Sequence, residues 1–547
     1  MIPIRIQKNK DHHQDTKTPR TAEIGFCCPY LVPWCLLGID YADTRDNQKS
    51  GGKGILSSFW RIEIKRALAF ATLVLLLGGS AAGAAPPAPV ASQAQSLWEA
   101  WPRVRVSPAD PWAMKHRELR AALVALQQRH PGLITLVEEG VSTEGRKIPA
   151  LRLGQGPTGI LLWSQMHGDE PTATAALLDL LSWLGASPAD PAVRQVLSKL
   201  TLWIIPMLNP DGAERTQRRN AQEIDINRDA LRLASPEGRF LKALRDRVQP
   251  VIGYNLHNQN PNLRAGLRGD QVAIALLSVP GDEALTETPG TRQTKQLAVR
   301  VRELVEPLAP GRVSRYDMDY TARAFGDSMT RWGTATLLIE TGGWAGAEEA
   351  ARLVRLNFVA LAGSLTALAD GSLEATPAAA YPQIPLNERD ALTTLVVRNA
   401  RLAGGRALPP FPADLAFLVP GAFSGDSPRG REPSLIEVGD LTYLRGLAEV
   451  DATGLLAVPW PAPPGDWAAL RESLSSRGLL ATDEATLLAA VRALGETAVA
   501  RPGFTGAVLF YRADSAGALM LEGAVLRGRL GGGKLAATGP GVVAAGQ

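Results

Sequence analysis

The chain is poor in the two residue types that most often carry nucleophilic or metal chemistry. Among 547 residues there are three cysteines, Cys27, Cys28 and Cys35, and none after them. That excludes a thiol nucleophile, thiolate metal ligands and structural disulfides from the main body. Histidine occurs six times, as His12, His13, His116, His130, His167 and His257. A histidine-dependent metal site therefore has few residues to draw on. Charge of one sign is also missing: Lys and Arg total 58 against 54 Asp and Glu, a net charge of +4. This near balance gives no reason to expect a nucleic-acid partner. The rest is ordinary for a globular protein, with 45% hydrophobic and 20% charged residues. The length suggests three or four structural units.

Residues 61–84 contain a basic stretch (Arg61, Lys65, Arg66), an apolar run through Leu77 and a small-residue end at Ala82-Gly83-Ala84. That is the pattern of a secretory signal peptide with an A-x-A cleavage site. Its apolar core is about half the ~20 residues that a spanning helix needs. Export to the periplasm or the medium is the expectation, with an uncleaved membrane anchor as the alternative and otherwise no membrane association. Some sixty residues precede the signal, so a start near Ile55 or Leu56 is expected, and no function is assigned to the leader 1–84.

A Pro/Ala-rich stretch from residue 85 reads as a linker to 112. Lys115–His130 has helical spacing of Leu119, Leu123, Val124 and Leu126, stopped by Pro131-Gly132. Apolar runs at 159–164, 201–207, 250–256, 272–279 and 335–339 read as buried strands. Helical stretches fall between them at 171–185, 236–247, 292–305 and 346–368. Strands alternating with helices imply an α/β domain over 113–372 with a largely parallel central sheet. A second linker, 373–387, leads to a β-rich accessory domain, 388–547, with strand-like runs at 392–398, 434–438 and 506–511 and a helix at 482–494. It carries no chemistry motif and no internal repeat.

The chemistry concentrates in the first domain. His167 and Glu170 lie three residues apart where an apolar strand turns into a helix. Open α/β sheets bind ligands beyond the carboxyl ends of their strands, and an imidazole and a carboxylate at this spacing can meet one zinc ion. A catalytic zinc takes three protein ligands and leaves a position for water. His257, at the end of the strand before it, is the expected third, because His116 and His130 are explained as helix-end residues. Glu340 ends another apolar run, Leu337-Leu338-Ile339. A carboxylate there costs free energy unless it is paired or useful, which makes it the expected general base for the zinc's water. A polar loop between these halves carries Arg218, Arg219 and Arg228. Arginines there suit two tasks, steadying an oxyanion and gripping a substrate carboxylate bidentately.

Taken in order, several motifs resemble the zinc carboxypeptidase (M14 metallopeptidase) family over residues 113–370. They are Glu144-Gly-Arg-Lys-Ile148, His167-Gly-Asp-Glu170, Asn209-Pro-Asp-Gly212, Arg218-Arg219-Asn220, Asp225-Ile-Asn227-Arg228, His257 and Ile339-Glu340-Thr-Gly. The resemblance implies a mixed, mostly parallel eight-stranded sheet flanked by helices. It implies one Zn²⁺ per chain at His167, Glu170 and His257, with Glu340 activating its water. It makes Arg218 the carbonyl-polarising residue, with Arg219 one step away, and Asn227 and Arg228 the clamp on a substrate's terminal carboxylate. The expected function is that of a bacterial exported metallocarboxypeptidase acting on peptides; the alternative is a zinc amidase or deacylase acting on murein or other unusual peptides. Two departures concern the substrate. The family's substrate-closing tyrosine would fall near Arg323, with Tyr316 and Tyr320 out of register, and Asp169 replaces an arginine of digestive members.

Overall fold

The computed structural model describes residues 88–531 except 268, 317–318, 346–347, 390, 404–407, 419–433, 462–466 and 527–528. The signal segment 61–84 and all three cysteines lie outside the described residues.

The first domain is built on strands β1 (Thr135–Val141), β2 (Lys147–Leu153), β3 (Thr158–Ser164), β4 (Leu200–Ile205), β5 (Ile252–Asn258), β6 (Arg264–Ala265), β7 (Ile274–Ser278), β8 (Val313–Arg315) and β9 (Ala335–Thr341). Eight of them form one sheet in the order β1-β2-β4-β3-β5-β9-β7-β8. Its centre, β4-β3-β5-β9, is parallel. β1-β2-β4 and β9-β7 are antiparallel, so the sheet is mixed, as the family resemblance implied. The apolar runs correspond to β3, β4, β5, β7 and β9.

Helices α1 (Ala88–Val104), α2 (His116–Arg129), α3 (Thr172–Ala186), α4 (Pro191–Lys199), α5 (Pro210–Arg215), α6 (Pro236–Val248), α7 (Pro289–Val305), α8 (Phe325–Arg331) and α9 (Glu349–Asp370) connect and cover these strands. Period-two alternation decides which side chain meets which layer. Ile160 and Leu162 of β3, Tyr254 and Leu256 of β5, and Leu337 and Ile339 of β9 join the core beneath α1, α3, α7 and α9. Leu161 and Trp163 of β3 face the other way, against Leu241 and Leu244 of α6 and Phe325 and Met329 of α8. His257 and Glu340 have the parity of this second face. α9 is long and apolar enough to cross a membrane, but here it is a core helix with Leu353, Phe358, Leu361 and Leu365 fully buried.

Neither linker is a free connection. From residue 88 the expected first linker is α1, whose Val90, Ala94, Leu97 and Trp101 are buried in the main core. Full burial of a Val or Leu side chain contributes roughly 1.5–3 kcal/mol. Pro89 sits in the first turn, where a missing N–H is harmless, and that is why a proline-rich start still makes a helix. Asp179 of α3 ties the segment down, accepting from Trp101 Nε1 at 2.8 Å, from the N–H groups of Val106 and Ser107 at 2.8 Å, and from Ser107 Oγ at 2.9 Å. Burial raises the pKa of that carboxyl above the ordinary value. The second expected linker, 373–387, also packs on the first domain. Tyr381 and Ile384 are buried in its core, and the Tyr381 hydroxyl accepts from Ser278 N–H at 3.1 Å. Its end, β10 (Asn387–Glu388), pairs with β6.

The C-terminal part is a second sheet. Ser434–Gly439, Phe411–Leu418, Leu392–Leu402, Leu455–Trp460, Ala507–Ala513 and Leu519–Leu526 lie side by side in that order. Helices Trp467–Ser476 and Glu484–Ala493 cover one face through Leu470, Leu474, Leu487 and Val491.

Candidate metal centre and surrounding cleft

The turn after β3 is tightly specified. Gln165 adopts a left-handed φ of 51° and donates from Nε2 to Gly168 O at 2.9 Å, while Thr174 Oγ1 donates to Gln165 Oε1 at 3.0 Å. A Cβ at Gly168 would fall on the backbone of Gly212 in α5. Asn209, capping α5, donates from Nδ2 to Met166 O at 3.3 Å and to Arg218 O at 3.2 Å. One amide thus locks the turn carrying His167 to the loop carrying Arg218. Gly168→Ala is expected to push these two backbones apart, destabilising the protein by about 1–3 kcal/mol and weakening its hold on metal. Thermal melts paired with a metal titration would check both.

The strand ends bring His167, Glu170 and His257 together. Each is only 2% exposed, and one ligand atom from each lies within 4.8 Å of the others. His167 Nδ1 is 2.8 Å from Glu170 Oε1, and His257 Nδ1 is 2.7 Å from Glu170 Oε2. The two Nδ1 atoms are 3.1 Å apart. Ligands around a tetrahedral zinc with bonds of ~2.0–2.1 Å lie roughly 3.3 Å from one another, so this donor set fits the ion with shifts of a few tenths of an ångström. His257 Nε2 is buried with no hydrogen-bond partner among the described residues.

The electrostatics of the trio are those of a site built around a cation. Burial alone would lower the pKa of His167, but the carboxylates of Glu170 and Asp225 outweigh it and push it up to about 9. Burial opposes ionisation of Glu170, yet the two imidazoles hold its carboxyl well below the usual range. Burial keeps His257 below its ordinary value.

Asp225 is part of the site although the sequence reading gave it no role. Its Oδ1 is 3.2 Å from His167 Nε2 and accepts from Asn227 N–H at 2.9 Å, while Oδ2 accepts from Arg218 Nε at 3.0 Å. Carboxylates behind metal-binding histidines fix ring orientation and raise ligand basicity. Its place two residues before Asn227 was the available signal. Asp225→Asn is expected to weaken metal affinity by roughly 10–100-fold, to be read by competition with a zinc-sensitive dye.

The structure decides between the neighbouring arginines. The Arg218 guanidinium reaches the trio, with Nη1 3.1 Å from His167 Nδ1 and 3.7 Å from Glu170 Oε1. Arg219 turns away to Glu223 O at 3.0 Å. Asn227 is half-buried and its Oδ1 accepts the N–H of Phe325 at 2.9 Å, tying the Asp225–Arg228 loop to the first turn of α8. Arg228 is exposed, and its charge is felt by Asp225, Asp327 and Glu340. His116 and His130 lie elsewhere: His116 Nε2 is 2.7 Å from Lys147 O, and His130 packs beside Gly185.

Glu340 is the direct lateral neighbour of His257 in the β5–β9 register. Its Oε2 is buried without a hydrogen-bond partner among the described residues. Burial, then the like charge of Glu170, pushes its pKa up to about 8. Tyr316, out of register in sequence, stands nearby. It packs against Leu277, Val279 and Leu338, and Glu340 is the main cause of its raised phenol pKa.

Likeness to known proteins covers part of the chain. Residues 119–244 match the zinc carboxypeptidase family model, a span that contains His167, Glu170, Arg218, Asn227 and Arg228. Carboxypeptidase 2 of Trichophyton tonsurans is 30% identical over 165 residues, covering 28% of this chain and 30% of that protein. Human carboxypeptidase D is 27% identical over 201 residues, 34% of this chain and 14% of that protein. The chain thus spans under a third of the length of these curated relatives. A metallo-carboxypeptidase structure from Pseudomonas aeruginosa aligns with 21% identity and a TM-score of 0.37, covering 46% of this chain and 69% of that one. Over the segment that holds two of the three clustered metal-type ligands and the arginine loop, the chain is similar to the zinc carboxypeptidases.

Proposed function

We propose that the protein is a zinc-dependent metallocarboxypeptidase that hydrolyses the C-terminal peptide bond of peptides. The observation that carries the reading is Glu340, a half-buried residue whose Oε2 is buried and has no hydrogen-bond partner among the described residues, set beside His257 of the ligand trio. His167, Glu170 and His257 would hold one zinc ion. When bound, the ion supplies Lewis acidity, polarising the scissile carbonyl and making water a better acid.

The chain's own groups supply the rest. Glu340 accepts the proton of the attacking water and delivers it to the leaving amine. Beside a bound cation Glu340 would ionise more readily than its raised pKa alone allows, and so could serve as the base at neutral pH. Arg218 steadies the charge that develops on the carbonyl oxygen, turning part-way from its present partners Asp225 and His167. Arg228, exposed at the cleft, pairs with the substrate's terminal carboxylate, assisted by the amide of Asn227. The relatives' names favour this reading over a murein amidase, because they are carboxypeptidases.

Incubation with defined peptides and mass analysis of the products tests it. Stepwise loss of single C-terminal residues, stopped by a chelator, is expected; internal cleavage, or activity that survives complete metal removal, would contradict it. Export through residues 61–84 is part of the proposal. N-terminal sequencing of the mature protein, with a new terminus just after Ala84, checks it.

A further inference from the structure

Beyond Glu340, on the side of the sheet away from β3, the sheet ends at β8, where a segment with no part in the proposed chemistry is fastened. This is the end of the connector, residues 385–389. Arg315 N–H donates to Pro385 O at 2.6 Å and Gly266 N–H to Leu386 O at 2.7 Å. Asn387 and Glu388 pair with Ala265 and Arg264. The Asn387 side chain donates from Nδ2 to Gln259 Oε1 at 2.7 Å and accepts from Ser314 Oγ at 2.6 Å. Gln259 is buried, two residues past His257, and its N–H donates to Thr341 O at 2.8 Å. The connector is therefore fastened to the strand ends that carry the metal-site residues.

Register fixes how near it comes. His257 pairs with Glu340, Glu340 with Ala275, and Ala275 with Ser314. These four side chains form one row on one face of the sheet. With strands ~4.8 Å apart, Ser314 lies two strands, or roughly 10 Å, from Glu340, and Asn387 sits directly on it. Arg389 follows in the bend directly after β10, two residues on from Asn387.

The electrostatics of Tyr316 agree with this position. The Tyr316 phenol is influenced by Glu340 and by burial, which raise its pKa, and by Arg389, which lowers it. The hydroxyl therefore lies in the fields of both Glu340 and Arg389. Arg389 is exposed, and among the described residues it makes no hydrogen bond or ion pair. An exposed arginine without a partner is ordinarily just solvated. This one directly follows a pinned strand whose Asn387 is bonded to Ser314, in the sheet row that contains Glu340.

We infer that Arg389, presented by the connector, recognises a carboxylate on a substrate residue adjoining the scissile bond, so that peptides with an acidic residue there are preferred. The inference rests on the carboxypeptidase reading and names the substrate class for it. A guanidinium offers a planar pair of donors that a carboxylate accepts bidentately, and the Tyr316 hydroxyl can donate to the same group. The Arg228 clamp takes the terminal carboxylate, so the ligand for Arg389 is a second acidic group.

The test uses the zinc-loaded full chain and peptides that differ only in Glu or Gln at the last or the penultimate position. Wild type should favour Glu over Gln in kcat/KM by roughly tenfold or more at one of these positions, the scale of one charge-assisted contact. Arg389→Gln should bring that ratio close to one, and Arg389→Lys should keep part of it. A wild-type ratio near one at both positions, or a Glu preference that survives Arg389→Gln, overturns the inference. Failure of the carboxypeptidase reading looks different: no peptide of either kind then loses its C-terminal residue.

Discussion

Glu340→Gln is expected to lower kcat/KM by a factor of roughly 10²–10⁴ while the protein keeps its zinc and its melting temperature. The substitution keeps the shape of the side chain and removes only its capacity to take a proton. No hydrogen bond to Oε2 is lost, because among the described residues that atom has no partner. Burial and the charge of Glu170 make the Glu340 carboxylate costly to ionise, so a neutral amide there should leave stability unchanged or raise it. Kinetics, zinc content and a thermal melt on the same preparation separate this from misfolding. Retained hydrolysis would remove Glu340 from the mechanism; loss of zinc together with activity would make it a structural residue.

His257→Ala is the second large effect. It removes one of two imidazoles from a trio whose members lie within 4.8 Å, and zinc should fall from about one per chain to near zero, with hydrolysis at background. The thermal consequence is separable. In the wild type, zinc present at a thousandfold its Kd stabilises the folded state by about 4 kcal/mol, so chelation should lower the melting temperature. In the variant the chelator should change nothing, since there is no ion to withdraw. A melt of His257→Ala that still responds to chelation would point to a different metal site.

These effects follow from residues that were legible in sequence for a specific reason. His257 and Glu340 were visible as polar residues at the ends of the apolar runs that become β5 and β9, and His167 and Glu170 in the turn that follows β3. What sequence could not convey was lateral register, which sets Glu340 beside His257 although 83 positions separate them in the chain. Asp225 was overlooked because its role exists only through contact with His167 and Arg218. The linkers were misread because composition outweighed periodicity. Residues 88–104 are rich in Ala and Pro, yet Val90, Ala94, Leu97 and Trp101 fall at helical spacing and are buried. Tyr316 was set aside on spacing, whereas its backbone N–H donates to Leu276 O at 2.9 Å at the end of β8. That bond carries the ring to the wall beside Glu340. In the C-terminal sheet, Phe411–Leu418 and Leu455–Trp460 went unread because their burial depends on strands far along the chain.

Metal analysis joined to X-ray absorption at the zinc edge, on protein purified without added metal, tests the central claim most directly. The account predicts about one zinc per chain, with two imidazole nitrogens and carboxylate or water oxygen as neighbours, and loss of the imidazole signal in His257→Ala. Absence of zinc, or sulfur in its first coordination sphere from Cys27, Cys28 or Cys35, would contradict it.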